Sequence, residues 1–361
     1  MGLLSQPADL FSQYQPWSMA LAVFVLVALA IPVLRFVADK VGLVDQPGGR
    51  KQHDGAVPLV GGLAIFPIFI GGLILNGNVS ETWPLIVSIL LLLITGAVDD
   101  RMMLPAKFKF FVQFAAAFII VLCGAAKVTK LGDLFGFGPF GLNFISIPFS
   151  IIATVLLINA INLMDGLDGL SGGIGALIFG FLSYAAIGAG SALSAQTLML
   201  LAALLAFLCY NMRTPLRSKA SVFIGDAGSL SLGLVIAWYS MTLASYSVWA
   251  IEPMSVAWVL ALPIFDICGQ FARRMRLGQH PFTPDRFHFH HHFINAGVSA
   301  GKAVCVILMI CMVFGAFGVF APKLGVPIWV LTVSWITLLL AHIFMSLKPE
   351  RFQNLIGRFV A

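Results

Sequence analysis

The stretch IPFSIIATVLLINAINLMDGLDGLSGG, residues 147–173, decides how this chain folds. Its first twelve residues are apolar apart from two hydroxyls. Then Asn159, Asn162, Asp165 and Asp168 follow at three-residue steps. The first three, spaced i, i+3, i+6, lie along one face of a helix. An unpaired amide in lipid is costly, so that face must look into protein or into a wet cleft. Gly166 and Gly169 let the backbone leave the helix and turn. The stretch reads as a membrane span whose end becomes polar at one surface.

The rest of the chain has the same character. Of its 361 residues 60% are apolar and only 10% are charged, where a soluble domain carries about 25% charged residues. Apolar runs of about 20 residues, each long enough to cross a bilayer as a helix, recur along the whole length. They lack the period-two alternation of a membrane barrel. The expected fold is an all-α polytopic membrane protein of about eleven transmembrane helices. They are placed near 17–38, 59–75, 83–98, 108–126, 146–162, 170–189, 195–212, 222–243, 254–274, 301–321 and 326–346. No repeat and no polar stretch long enough for a second domain is visible, so 1–361 reads as one integral-membrane domain. Residues 1–16 form a periplasmic segment, with no cleaved signal peptide, and 347–361 a cytoplasmic tail. The five cysteines lie mostly in apolar runs without metal-type spacing and read as packing residues.

Lys and Arg accumulate in cytoplasmic loops. One set of loops holds Lys40, Arg50, Lys51, Arg101, Lys107, Lys109, Arg213, Arg217, Lys219, Arg273, Arg274, Arg276 and Arg286; the tail adds three more. The opposite set holds only Lys127, Lys130 and Lys323. The C-terminus is therefore expected inside and the N-terminus outside. The outer loops are short, apart from a Gly/Phe-rich one near 127–145 with the makings of a hairpin.

The acids sort the same way. Asp99 and Asp100 end the third span, Asp165 and Asp168 follow the fifth, and Asp226 in FIGDAGSLSLG opens the eighth. Asp285 and the histidines of HPFTPDRFHFHHHF follow the ninth, all on the cytoplasmic side. A single acid at a span end is usually a solvated cap, and that suits Asp39, Asp45 and Asp54. It suits an adjacent pair such as Asp99–Asp100 less well, because like charges repel unless a cation intervenes. Several carboxylates without cysteines suit a hard cation, and Mg²⁺ is held by one or two carboxylates plus substrate phosphates. That is the apparatus of phosphoryl transfer, with Lys, Arg and His to neutralise a phosphate-rich ligand. GDAGS at a loop-to-helix transition adds an anion-friendly helix N-terminus. The run of His288, His290, His291 and His292 fits contacts to phosphate or a nucleobase, with zinc as the other reading. From a different class, a cation-coupled transporter would need acids near the midplane in paired broken helices; only Asp266 lies somewhat inside a span.

Five motifs in order, DQPGGRKQHDGAVPLVGG, GAVDDRMMLP, NAINLMDGLDGLSGG, VFIGDAGSLSLG and PFTPDRFHFHHH, resemble the polyprenyl-phosphate N-acetylhexosamine-1-phosphate transferases over residues 35 to 345. Within that family RKQHDGAVPLVGG and PDRFHFHH are most similar to the branch that uses UDP-N-acetylglucosamine. The teichoic-acid initiators are a nearer competitor than the peptidoglycan branch, which typically has a Thr-Met pair where this chain has Leu59-Val60. The resemblance implies an enzyme of the bacterial inner membrane that moves a sugar 1-phosphate from a cytoplasmic UDP-N-acetylhexosamine to undecaprenyl phosphate, releasing UMP. It implies Mg²⁺, with Mn²⁺ as a substitute, no nucleic-acid partner, and leaves room for a homodimer. Carried over residue by residue, Asp226, Asp99 and Asp100 are the catalytic and metal-holding acids, with Asp165 a further ligand. Asn159, Asn162, Asp165 and Asp168 line the nucleotide cleft. His288, His290 and His291 contact the UDP-sugar, and Lys51, Arg273 and Arg274 meet phosphate. Where the family often has a third acid after the Asp-Asp pair, this chain has Met103.

Overall fold

The computed structural model describes residues 7–45, 55–77, 79–124, 126–215, 217–245, 247–283 and 285–360. The chain enters through α1 (Pro7–Val41). Two residues, β1 (Val44–Asp45), then pair antiparallel with β2 (Val57–Pro58). Next come α2 (Gly61–Leu75), α3 (Val79–Met102), α4 (Ala106–Phe118), α5 (Ser146–Leu163), α6 (Leu170–Gly188) and α7 (Ser194–Asn211). They are followed by α8 (Gly225–Leu243), α9 (Pro253–Val259), α10 (Ala261–Arg276), α11 (Phe289–Asn295), α12 (Ala300–Phe320), α13 (Ile328–Ser346) and α14 (Pro349–Val360).

The molecule is an all-α polytopic membrane protein. Among the described residues eight helices are long and apolar enough to cross a membrane, or nine when the bent pair α9–α10 counts as one span. Each of the eleven expected segments is helical. Two of them do not meet that length and apolarity: α2, with fifteen residues, and α8. The segment expected at 254–274 is two helices, which break at Leu260 and bend by 71°. Pro263 follows the break on α10, and a proline there removes a backbone donor from the ladder.

The core is built around α8. Every residue from Ala227 to Leu243 is buried, and α8 packs against α2, α3, α5 and α6. Small residues allow this. A Cβ on Gly62 would fall 2.3 Å from the Gly228 Cα, and one on Gly96 2.3 Å from the Ala227 Cα. Backbone therefore meets backbone where α2 and α3 cross the first turn of α8, the kind of close approach that small residues permit in membranes. The loop before α2 is stitched to the same place. Phe223 donates its N–H to the Pro58 carbonyl, and Gly61 and Gly62 donate to the carbonyls of Phe223 and Ile224, each at 2.9 Å.

At the other end, the loop expected to form a hairpin does so: Lys130 and Gly141 make an antiparallel bridge, and Leu131 and Phe140 lie in register. The segment expected as a cytoplasmic tail forms the helix α14. Phe352 and Ile356, one turn apart, bury their side chains while Glu350, Arg351 and Arg358 stay exposed. That amphipathic pattern seats it against α11.

Candidate active site

The C-terminal ends of α3, α5 and α10 and the N-terminal ends of α4 and α8 meet at one end of the bundle, and the polar residues converge there. The adjacent acids Asp99 and Asp100 solve their mutual repulsion by diverging. Asp99 is buried and accepts from Lys109 Nζ at 2.5 Å and from the Leu104 N–H at 2.6 Å. Asp100 turns toward α8 and accepts from the N–H groups of Asp226 at 2.8 Å and Ala227 at 3.3 Å. A carboxylate from one helix thus caps the start of another, where unsatisfied N–H groups and the helix dipole both favour it. Gly225 makes room for it: its φ is +72°, and a Cβ there would lie 2.6 Å from Asp100 Oδ2.

Asp226 faces the same space. Asn162 Nδ2 donates to it at 2.9 Å and to Ser229 Oγ at 2.9 Å, and Lys109 Nζ lies 3.6 Å from its other oxygen. One ammonium therefore spans Asp99 and Asp226. Lys109 counted only toward sidedness in the sequence. The signal that marks it is its place one turn into α4, beyond Pro105, with Gln113 one further turn along the same face.

Asn159 lies one turn deeper on α5 and bonds Gln113 Oε1 at 2.6 Å and the Val155 carbonyl, not a carboxylate. Asp165 follows the end of α5 and accepts from Ser171 at 2.5 Å. It keeps open surface while lying deep among protein atoms, the character of a cleft wall. That depth pushes its carboxyl up to about 7, against the Ser171 hydrogen bond and with help from the charges of Asp226 and Asp168. Asp168 holds Arg213 Nε at 2.8 Å and the Ala220 N–H at 3.1 Å, tying the loop to the chain after α7.

The histidine loop closes one side. A Cβ on Gly166 would fall 2.1 Å from His290 Nε2, so the aspartate loop and the histidine loop touch directly. His290 and His291 sit with ring centroids 4.1 Å apart. Both nitrogens of His290 and Nδ1 of His291 are buried without a hydrogen-bond partner. Burial holds the His290 imidazole down to about 3 and that of His291 to about 4, and neighbouring histidines add to this. These rings are neutral. They offer hydrogen bonds rather than the positive charge expected of them.

Arg273 and Arg274, expected to meet phosphate, are both spent on Asp285. The distances are 2.5 Å and 2.8 Å, and Arg274, 1% exposed, also donates to the Pro281 carbonyl. Burial would raise the Asp285 carboxyl, but the two guanidiniums and the Phe287 N–H outweigh it and lower it. Gln270 donates to the Phe287 carbonyl. These residues clamp the loop onto α10. His288 belongs to the clamp, bonded to Asp266, which the sequence singled out only for its depth in a span. Lys51 lies outside the described residues.

Among the described residues no group of three or more His, Cys, Asp or Glu side chains forms a preformed metal cage. The donors present do fit a hard cation of the kind held by one or two carboxylates plus the oxygens of a bound phosphate. Asp226 and Asp165 both face the cleft, and their charges act on each other. The five cysteines are free, and among the described residues no soft-ligand site competes.

Fold and site together define a polytopic membrane enzyme whose polar machinery is gathered at one end of a helical bundle. Residues 82–244 match the model of glycosyl transferase family 4. Three relatives share the name undecaprenyl-phosphate alpha-N-acetylglucosaminyl 1-phosphate transferase. The protein of Escherichia coli strain K12 is 32% identical over 353 residues, covering 93% of this chain and 89% of its own. That of Haemophilus influenzae is 32% identical, covering 91% and 94%. That of Yersinia pestis is 30% identical, covering 91% and 90%. The chain belongs to glycosyl transferase family 4.

Proposed function

We propose that this chain transfers N-acetylglucosamine 1-phosphate from UDP-N-acetylglucosamine to undecaprenyl phosphate. The products are the diphosphate-linked lipid sugar and UMP, in the first membrane step of an O-antigen or common-antigen type of polysaccharide. The observation that carries this reading is the single hydrogen-bonded group of Asp99, Asp100, Lys109, Asn162 and Asp226 beside the unpartnered His290 and His291. The relatives' names supply the lipid acceptor and the N-acetylglucosaminyl 1-phosphate group, and the UDP donor follows from the resemblance in motifs. The whole chain acts as one membrane domain with eleven crossings in the bacterial inner membrane. Its N-terminus is periplasmic, its C-terminus cytoplasmic, and its cleft opens to the cytoplasm, where UDP-sugars are.

An oxygen of the lipid phosphate attacks the phosphorus that carries the sugar. A new P–O–P linkage forms, the bond from that phosphorus to the oxygen shared with UMP breaks, and UMP leaves with the electron pair. The acceptor is already an anion near neutral pH, so direct attack needs little base catalysis. Mg²⁺ or Mn²⁺, held by Asp226 and Asp165 with Asp99 and Asp100 close by, would neutralise charge on the phosphate oxygens. Lys109 supplies a second positive charge at the same place, between Asp99 and Asp226. Asn162 orients Asp226. His290 and His291, neutral and unpartnered, hydrogen-bond the nucleotide-sugar.

Membranes holding the chain, given radiolabelled UDP-N-acetylglucosamine, undecaprenyl phosphate and Mg²⁺, are expected to yield lipid-extractable label and UMP, and to stop in excess EDTA. Label that stays water-soluble with every UDP-N-acetylhexosamine tried would sink the reading. Full turnover in EDTA would remove the metal from it.

A further inference from the structure

We propose that Asp266 and His288 form a tether that aims His290 and His291 at the nucleotide-sugar, so that His288 is a positioning residue and not a substrate contact. The inference rests on the proposed function and assigns work within its site. Asp266 is 1% exposed, on α10 six residues past the break at Leu260. It receives two donors from consecutive residues of the histidine loop: His288 Nδ1 at 2.8 Å and the Phe289 N–H at 2.7 Å. His288 is the N-cap residue of α11 and makes no side-chain cap of its own. The acceptor that the first N–H of α11 needs therefore comes from another helix.

The same carboxylate selects the state of the ring. Asp266 accepts, so Nδ1 carries the proton. On the other side Arg274 Nη2 lies 3.4 Å from His288 Nε2, and a guanidinium has only donors. Both neighbours select the Nδ1–H tautomer, and both ring nitrogens are taken. His288 has nothing left to offer a ligand. Two residues on, the His290 ring that touches the aspartate loop at Gly166, and the His291 ring beside it, have nitrogens without partners. Their direction follows from how the first turn of α11 is pinned, and the pin is Asp266.

The test uses the full-length enzyme in detergent and compares KM for UDP-N-acetylglucosamine with KM for undecaprenyl phosphate. Asp266→Asn keeps size and an acceptor for Phe289 but turns an NH₂ group toward His288 Nδ1, or loses the Phe289 bond. His288→Leu removes the tether. His288→Asn puts an amide N–H where the Nδ1–H was. Asp266→Asn and His288→Leu are expected to raise KM for the nucleotide-sugar about tenfold or more, with KM for the lipid within about twofold. His288→Asn is expected to stay within about threefold of wild type. A merely structural role would move both KM values together, and that result would overturn the tether. So would His288→Asn as impaired as His288→Leu, because the imidazole itself would then be the contact. If Asp266→Asn does not accumulate, the two His288 variants decide. A wild-type enzyme with no turnover of UDP-N-acetylglucosamine would fail the function, not the tether.

Discussion

At the scale of single residues, Lys109 has the most consequential position. It is 28% exposed, and its ammonium spans an acid on α3 and an acid on α8. Replacing it by Met leaves Asp99 buried without a counter-charge and withdraws a positive charge from the transferring phosphate. Losing one electrostatic stabiliser of this kind costs on the order of 10²–10³ in rate. Lys109→Met is expected to lose that much of kcat with the protein still purifying, and Lys109→Arg to recover only part, because a planar fork does not replace a point charge. Activity within about threefold of wild type in Lys109→Met would show that the ammonium is only a surface charge. Met103 is the opposite case. It stands at φ +51°, 89% exposed, just past the end of α3. The third acid missing from this chain would therefore point into water. Left-handed backbone suits Asp better than Met, so Met103→Asp is expected to keep fold and sugar choice and change the Mg²⁺ dependence only slightly. A side-by-side Mg²⁺ titration measures this; complete inactivity would mean that residue 103 packs inside the site.

At the scale of elements, the histidine loop is held from two directions. Asp266, Arg273 and Arg274 of α10 hold one side. On the other, Phe352 of α14 packs its ring 4.7 Å from His292 and 5.7 Å from Phe289. The C-terminal helix is thus part of the site's support. Ending the chain at Lys348 is expected to leave insertion and yield intact while raising KM for the nucleotide-sugar several-fold. Phe352→Ala is expected to show most of the same effect. An unchanged KM in both would show that α10 alone holds the loop. The sequence hid α14 because twelve residues with Glu350, Arg351 and Arg358 among them read as a tail in a chain searched for apolar runs. The signal that marks the amphipathic face is the spacing i, i+3, i+4, i+7 of Phe352, Leu355, Ile356 and Phe359.

At the scale of the whole molecule, the buried histidines couple stability to pH. Burial holds His290 down to about 3, and His291 and His292 to about 4, from 6.5. Between pH 6.5 and about 4 these three rings therefore bind more protons in the unfolded chain than in the folded one, and their contribution to stability falls as pH falls through that window, while Asp165, held up at about 7, contributes in the opposite sense. The histidine part is read as a difference: on going from pH 7 to pH 4.5 the melting temperature of His290→Gln is expected to lose less than that of wild type. A slope unchanged in that variant would mean that His290 is charged in the fold. Much of the architecture was legible without coordinates. A bilayer demands continuous apolar runs, so the helix positions could be read directly. Lys and Arg sort by side, so the acids of the site could be assigned to one surface. Five motifs sufficed for the family. The sequence could not tell which side chain meets which. In a water-soluble helix an apolar stripe marks the inward face, but here lipid and protein core are equally apolar and that periodicity vanishes. Only the tertiary packing decided that Lys109 lies between Asp99 and Asp226, that Asp100 caps a helix rather than facing Asp99, that Arg273 and Arg274 serve Asp285, and that the span through Leu260 breaks above an Asp266 that bonds His288.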